Sequence, residues 1–151
     1  MGLFHDLSQL PETAKGGVLV IGNFDGVHKG HQVVLARALE KAGEIYGEAG
    51  AEVTVLVFDP HPRQYFAPHA PSLRLTQLGT RARLLQQYGA TNTVALTFDK
   101  NMAEMSAEDF IQKIIIESFD ARAICIGHDF HFGKNRAGTP DMLKTAGKKY
   151  G

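Results

Sequence analysis

Two histidines three residues apart, His28 and His31 in "DGVHKGH", stand between a short apolar run and a stretch of helical periodicity. Gly22, Gly26, Gly30 and Asp25 crowd the same segment. Imidazole N–H groups at the start of a helix suit an anion, and charge developing on a phosphate during displacement would be stabilised there. Each glycine has a use in such a loop. Gly22 can end a strand with positive φ, Gly26 can make a second tight turn, and Gly30 lets a bulky anion approach the backbone. With the histidines on one side of the first helical turn, their rings and the unpaired amides of that turn are expected to converge on one anion. One histidine in a glycine-rich turn reads as merely solvated; two with HxGH spacing, between a buried strand and a helix, read as a site.

Two familiar phosphate loops are excluded. GxxxxGK[ST] needs a hydroxyl residue after its lysine, whereas Lys29 is followed by Gly30 and His31; GxGxxG fails because Asn23 and Phe24 follow Gly22.

The elements that must position this loop follow from periodicity. Val18–Ile21 is a β-branched run suited to a strand covered on both faces. "GHQVVLARALEKAGEIYG" sets apolar Val33, Val34, Ala38 and Ile45 among Arg37, Glu40 and Lys41 at helical spacing. Then come a strand in "AEVTVLVF", a long irregular loop in "DPHPRQYFAPHAPSLRL", whose four prolines forbid regular structure, and a helix in "TQLGTRARLLQQYG". They are followed by a strand in "NTVALTF", a helix in "SAEDFIQKIIIESF", a strand in "RAICIG" and a last helical stretch in "PDMLKTAGKK". Ser106 and Asp109 are spaced as a capping pair, and residues 1–16 read as a leading arm.

Strands alternating with helices predict an α/β domain, a parallel sheet with helices on both faces, whose ligands bind beyond the carboxyl ends of the strands. Five of the seven histidines, His28, His31, His61, His128 and His131, follow three of those strands. The topology should bring them to one rim.

The chain has 151 residues, 44% hydrophobic and 21% charged, which suits one domain with its own core. Sixteen basic residues balance sixteen acidic ones, so no basic stripe points to nucleic acid. Cys125 alone excludes an internal disulfide and reads as a buried structural thiol in a reducing compartment. Neither a leader pattern nor a membrane-length apolar run is present, so a cytoplasmic protein without membrane attachment is expected.

"GNFDGVHKGHQ" resembles the HxGH signature of the nucleotidylyltransferase superfamily. Its extended form is similar to that of the FMN adenylyltransferase (FAD synthetase) module of the bacterial bifunctional riboflavin kinase/FAD synthetases. The resemblance continues in order through "FDPHPRQYF", "RLTQL", "FDKNMAEMSAEDFI" and "GHDFHFGKNRAGT" and covers nearly the whole chain. It implies a Rossmann-like nucleotidylyltransferase fold and transfer of AMP from ATP to FMN, giving FAD and pyrophosphate, with Mg²⁺ accompanying ATP. His28 and His31 would be catalytic, binding the triphosphate and stabilising the transition state without a covalent intermediate. Gly22, Asn23, Phe24, Asp25 and Gly30 would bind ATP; Asp59, His61 and Asp129 would bind FMN. Phe130 and Phe132 read as packing residues, and Lys134 and Arg136 as cations suited to a phosphate or to a solvated loop.

The resemblance also implies a module that runs on into another strand and a Ser-Ser-Thr-x-x-Arg-type segment closing over the phosphates. Residues 1–151 are thus expected to be a C-terminally truncated adenylyltransferase domain, without a riboflavin kinase domain. Three rival readings are a nucleotidylyltransferase for another phosphate acceptor, a non-catalytic nucleotide-binding fragment, and a metal-dependent hydrolase using the clustered histidines. The last is disfavoured because a helix start repels cations.

Overall fold

The computed structural model describes residues 2–47, 52–71, 75–127 and 130–151. Five parallel strands form its sheet: β1 (Gly2–Phe4), β2 (Val18–Ile21), β3 (Val53–Asp59), β4 (Asn92–Thr97) and β5 (Ala123–Cys125), in the order β1-β4-β3-β2-β5. Val18 of β2 is in register with Val53 of β3 on one side and Ala123 of β5 on the other.

Period-two alternation divides the side chains of the sheet between two cores. Val18, Val20, Val53, Val55 and Val57 pack with Leu35, Ala38 and Ala42 of α1 (Lys29–Tyr46) and Leu85 of α3 (Leu78–Gln87). On the other face Leu19, Ile21, Leu56, Phe58, Val94 and Leu96 meet Phe110, Ile114, Ile115 and Phe119, with Leu143 of α6 (Pro140–Tyr150). Because both faces are covered, all four residues of β2 are buried. The expected α/β architecture is therefore present. Among the described residues no helix is long and apolar enough to cross a membrane.

Several local expectations need correction. The leading arm is not free of structure, since Gly2–Phe4 pairs with Asn92–Val94 as an edge strand too short to show a period. The proline-rich loop contains a helical turn, α2 (Pro62–Phe66), because Pro62 occupies the first turn, where a missing N–H costs nothing. Lys100–Glu104 forms a short helix, α4, capped by the Asp99 side chain. Ser106 does cap its helix, accepting from the Asp109 amide, but after Ala107–Asp109 (α5) the chain widens into a π-helix over Phe110–Ser118. In α1 the buried stripe is Leu35, Ala38 and Ala42, while Val33 and Ile45 are exposed. Cys125, on edge strand β5, is half-buried rather than buried. Its thiol is pushed up by burial, against the opposing charges of Arg37 and Lys41.

Candidate active site

The carboxyl ends of β3, β2 and β5 lie side by side, and from them leave the three segments richest in histidine. The loop from Gly22 to His28 connects β2 to α1 through a 3-10 turn at Asp25–Val27. Its backbone is unusual. Phe24 is left-handed at φ 54° and ψ 30°, Gly26 has φ 78°, and the β-branched Val27 has φ 43°. Left-handed conformations at non-glycine residues cost on the order of 1–3 kcal/mol each and persist only where surrounding contacts over-determine them. Gly26 thus fills the turn role expected of it. Gly22 is not among the residues with positive φ; there a Cβ would come 2.9 Å from the Phe24 ring.

His28 is the N-cap of α1. Its Nδ1 accepts from the amides of Gly30 (3.1 Å) and His31 (3.4 Å), while His31 Nδ1 accepts from the His28 amide at 3.2 Å. The HxGH spacing is therefore a reciprocal capping box built from imidazoles. This corrects one expectation: the Gly30 and His31 amides are already engaged and are not spare donors for an anion. Gly30 matters for room, since a Cβ there would lie 3.0 Å from His28 Cε1.

The capping has a chemical consequence. An Nδ1 that accepts a backbone N–H carries no proton, so each neutral ring holds its proton on Nε2. The rings stack with centroids 3.5 Å apart at 21°, and Phe24 meets His31 edge-on at 5.0 Å. Burial and then the neighbouring His28 lower the His31 pKa to about 4, against an opposing pull from Asp25. His31 is neutral at physiological pH and can donate a hydrogen bond through Nε2 without first acquiring a proton.

Three residues to which the sequence assigned no role, Leu75, Thr76 and Arg81, hold this loop in place. Both carboxylate oxygens of Asp25 accept from the Leu75 amide (3.0 and 2.8 Å), and Oδ1 also accepts from the Thr76 amide (2.8 Å) and hydroxyl (2.9 Å). Burial pushes the Asp25 carboxyl up, but these hydrogen bonds and the Arg81 charge hold it below the ordinary value. Arg81 is buried at 3% exposure, and its Nη1 donates to the Asn23 carbonyl at 2.8 Å. A signal for it existed: Arg81 falls in helical step with Leu85 on the apolar stripe of α3, where a cation is out of place. Thr76 had no such signal.

The segment after β3 is built differently. Asp59 ends the strand and His61 caps α2, its Nδ1 accepting from the Arg63 amide at 2.9 Å. Phe66 is 69% exposed, which rules out a core role, and it meets Tyr65 and Phe98 edge-on at 5.1 and 5.9 Å. Phe98 in turn meets Phe58 at 5.7 Å. After β5, His128 and Asp129 lie outside the described residues. Phe130 and Phe132 stack at 5.9 Å against the core, in keeping with the packing role expected, and Phe132 pairs with Gly138 across a turn that exposes Lys134 and Arg136.

Among the described residues no three or more His, Cys, Asp or Glu side chains come together in a way that could hold a metal. Both Nδ1 lone pairs of the stacked histidines point to backbone amides. That geometry suits donors to an anion better than ligands to a cation.

Residues 10–151 match the FAD synthetase family. The chain is 36% identical over 151 residues to a bifunctional riboflavin kinase/FMN adenylyltransferase of Pseudomonas fluorescens, covering 100% of this chain and 47% of that protein. It is 36% identical over 147 residues to the Escherichia coli K12 protein of the same description, covering 97% and 45%. A relative so described from Haemophilus influenzae is 34% identical, with 100% and 48% covered. The chain thus spans about half the length of the curated relatives it matches. A crystal structure described as a macrolide-efflux protein from Streptococcus pneumoniae superposes with a TM-score of 0.80 at 26% identity, over 95% of this chain and 45% of that one.

Proposed function

The chain belongs to the FAD synthetase family, and from that premise we propose that it transfers the adenylyl group of ATP, presented as its magnesium complex, to FMN, giving FAD and pyrophosphate. The observation that carries this reading is the stacked pair His28 and His31, each with Nδ1 committed to the backbone and its Nε2 proton left to serve a ligand.

In the reaction an oxygen of the FMN phosphate attacks the α-phosphorus of ATP. The bond from that phosphorus to the α,β-bridging oxygen breaks, and pyrophosphate leaves with the electron pair. No enzyme nucleophile is needed, so the protein's part is positioning and electrostatic stabilisation. His28 and His31 donate to phosphate oxygens as charge builds on them. A neutral His31 gives up its Nε2 hydrogen bond at no protonation cost. Asp25 belongs to the ATP side as well, and with its oxygens bound to Leu75 and Thr76 it acts there by holding the loop in shape. Gly22, Asn23, Phe24 and Gly30 shape the nucleotide side of the loop. On the flavin side Asp59, His61 and Asp129 bind FMN, and the rings of Tyr65, Phe66 and Phe98 offer an apolar shelf for the isoalloxazine. Residues 1–151 serve as the adenylyltransferase module, with small nucleotides as partners.

The test is acceptor choice. A polypeptide that contains residues 1–151 and runs on through the phosphate-closing segment expected after them is incubated with ATP and Mg²⁺ and with FMN, phosphopantetheine or nicotinamide mononucleotide in turn, and products are separated chromatographically. FAD from FMN alone is expected. Adenylyl transfer to either of the others but not to FMN would overturn the assignment.

A further inference from the structure

The nucleotide loop is strained, yet the residues that hold it lie some fifty positions further along the chain. Its left-handed Phe24 and Val27 sit between β2 and the N-cap of α1, so any relaxation there would turn His28. The opposing forces come from one stretch. Leu75 and Thr76 grip the Asp25 carboxylate, and the Thr76 hydroxyl also accepts from the Gly26 amide at 3.1 Å. One helical turn on, Arg81 reaches the Asn23 carbonyl. Leu85, fully buried in the core, shares the α3 face of Arg81 and anchors that face against the sheet.

Stability alone does not explain an arginine here. A buried cation has a large desolvation cost, and an apolar side chain of similar volume commonly serves packing as well or better. At 3% exposure Arg81 is also too enclosed to meet a phosphate itself. What it supplies is a charge-assisted hydrogen bond to the loop carbonyl and attraction to the nearby Asp25 carboxylate.

We propose that Arg81, together with the Asp25–Thr76 clamp, is a positioning residue: it locks the strained Gly22–Val27 backbone and thereby aims His28 and His31 at the nucleotide. The proposal rests on the adenylyl-transfer reading for what the loop grips, but the locking itself is independent of it.

Two readouts separate these claims. The first is amide hydrogen exchange at Gly26, Leu75 and Thr76, compared with Val55 and Val94 in the sheet. In Arg81→Met the loop amides should exchange about tenfold faster or more, with the sheet amides unchanged, the size expected when a hydrogen bond to a charged group is lost. Arg81→Lys, which keeps a charge and a donor, should stay within about threefold of the parent protein. The second readout is FAD formation: kcat should fall about tenfold in Arg81→Met while KM for FMN holds. Loop exchange unchanged in Arg81→Met, or accelerated equally in loop and sheet, overturns the proposal whether or not FAD is made. Absence of FAD from the parent protein, extended as in the acceptor test, counts against the adenylyl-transfer reading alone. Should Arg81→Met not fold, Thr76→Val takes its place. It removes a donor to Asp25 and an acceptor for Gly26, so equal exchange at Gly26 and Leu75 in this variant and the parent would refute the locking.

Discussion

The loops after β2 and β3 leave the same sheet edge as neighbours, yet they are held by different means. In the first, the amides of Gly26, His28, Gly30 and His31 all have assigned acceptors, and a carboxylate and a guanidinium fasten the loop to residues 75–81. The second shares an imidazole cap, His61 accepting from the Arg63 amide, but its surface is made of edge-to-face contacts among Tyr65, Phe66 and Phe98, with Phe66 standing largely in solvent. The difference matches the ligands each would serve. A phosphate in transit needs donors fixed where charge appears, because any reorganisation adds to the barrier. A flat aromatic ring needs area and tolerates a yielding shelf.

The sharpest way to break this contrast is to remove a donor. His28→Ala or His31→Ala should each lower turnover by about a hundredfold or more, the loss seen when one oxyanion donor is deleted. Flavin affinity, measured by titration of FMN fluorescence, should change little. An equal loss on both sides would mean that the two loops act as one.

Phe66→Ala tests the other half. Losing one aromatic face should weaken FMN binding about tenfold, the order of magnitude of one partly buried Phe side chain, and leave ATP affinity as it was. Because Phe66 is so exposed in the protein alone, its removal should not lower the thermal midpoint.

The smallest effect is on stability against pH. The folded His31 resists protonation down to about 4, while an unfolded histidine takes a proton near 6.5. Between these values the unfolded chain binds more protons. The contribution of His31 is therefore intact above about pH 6.5 and is lost as pH falls toward 4. Thermal midpoints recorded across that range should fall less steeply in His31→Ala than in the parent protein. Solvent reaches this ring, so the difference should be modest.

Much of this molecule was legible because its signals are local. The alternation of strand and helix, the glycine-histidine loop and the Ser106 cap each lie within a few residues of chain, where periodicity and capping chemistry act. What stayed hidden depends on contacts between distant segments. The pairing of β1 with β4 joins residues ninety positions apart, and three residues carry no period. That both histidines cap the backbone through Nδ1 follows from ring orientation, which spacing does not specify. Thr76 reaches Asp25 only because α3 packs beside the loop, whereas Arg81 did leave a trace as a cation on an apolar helix face.

Capping and catalysis meet in His28, and one substitution separates them. Asparagine is a strong N-cap, so His28→Asn should keep the Gly30 and His31 amides satisfied while removing the imidazole Nε2 donor. The decisive measurement is single-turnover FAD formation from ATP labelled at the α-phosphate, at saturating FMN, in His28→Asn and the parent protein, with thermal midpoints recorded alongside. The expected result is a rate about a hundredfold lower at an unchanged midpoint. A parental rate in His28→Asn would contradict the claim, since His28 would then be a helix cap and nothing more.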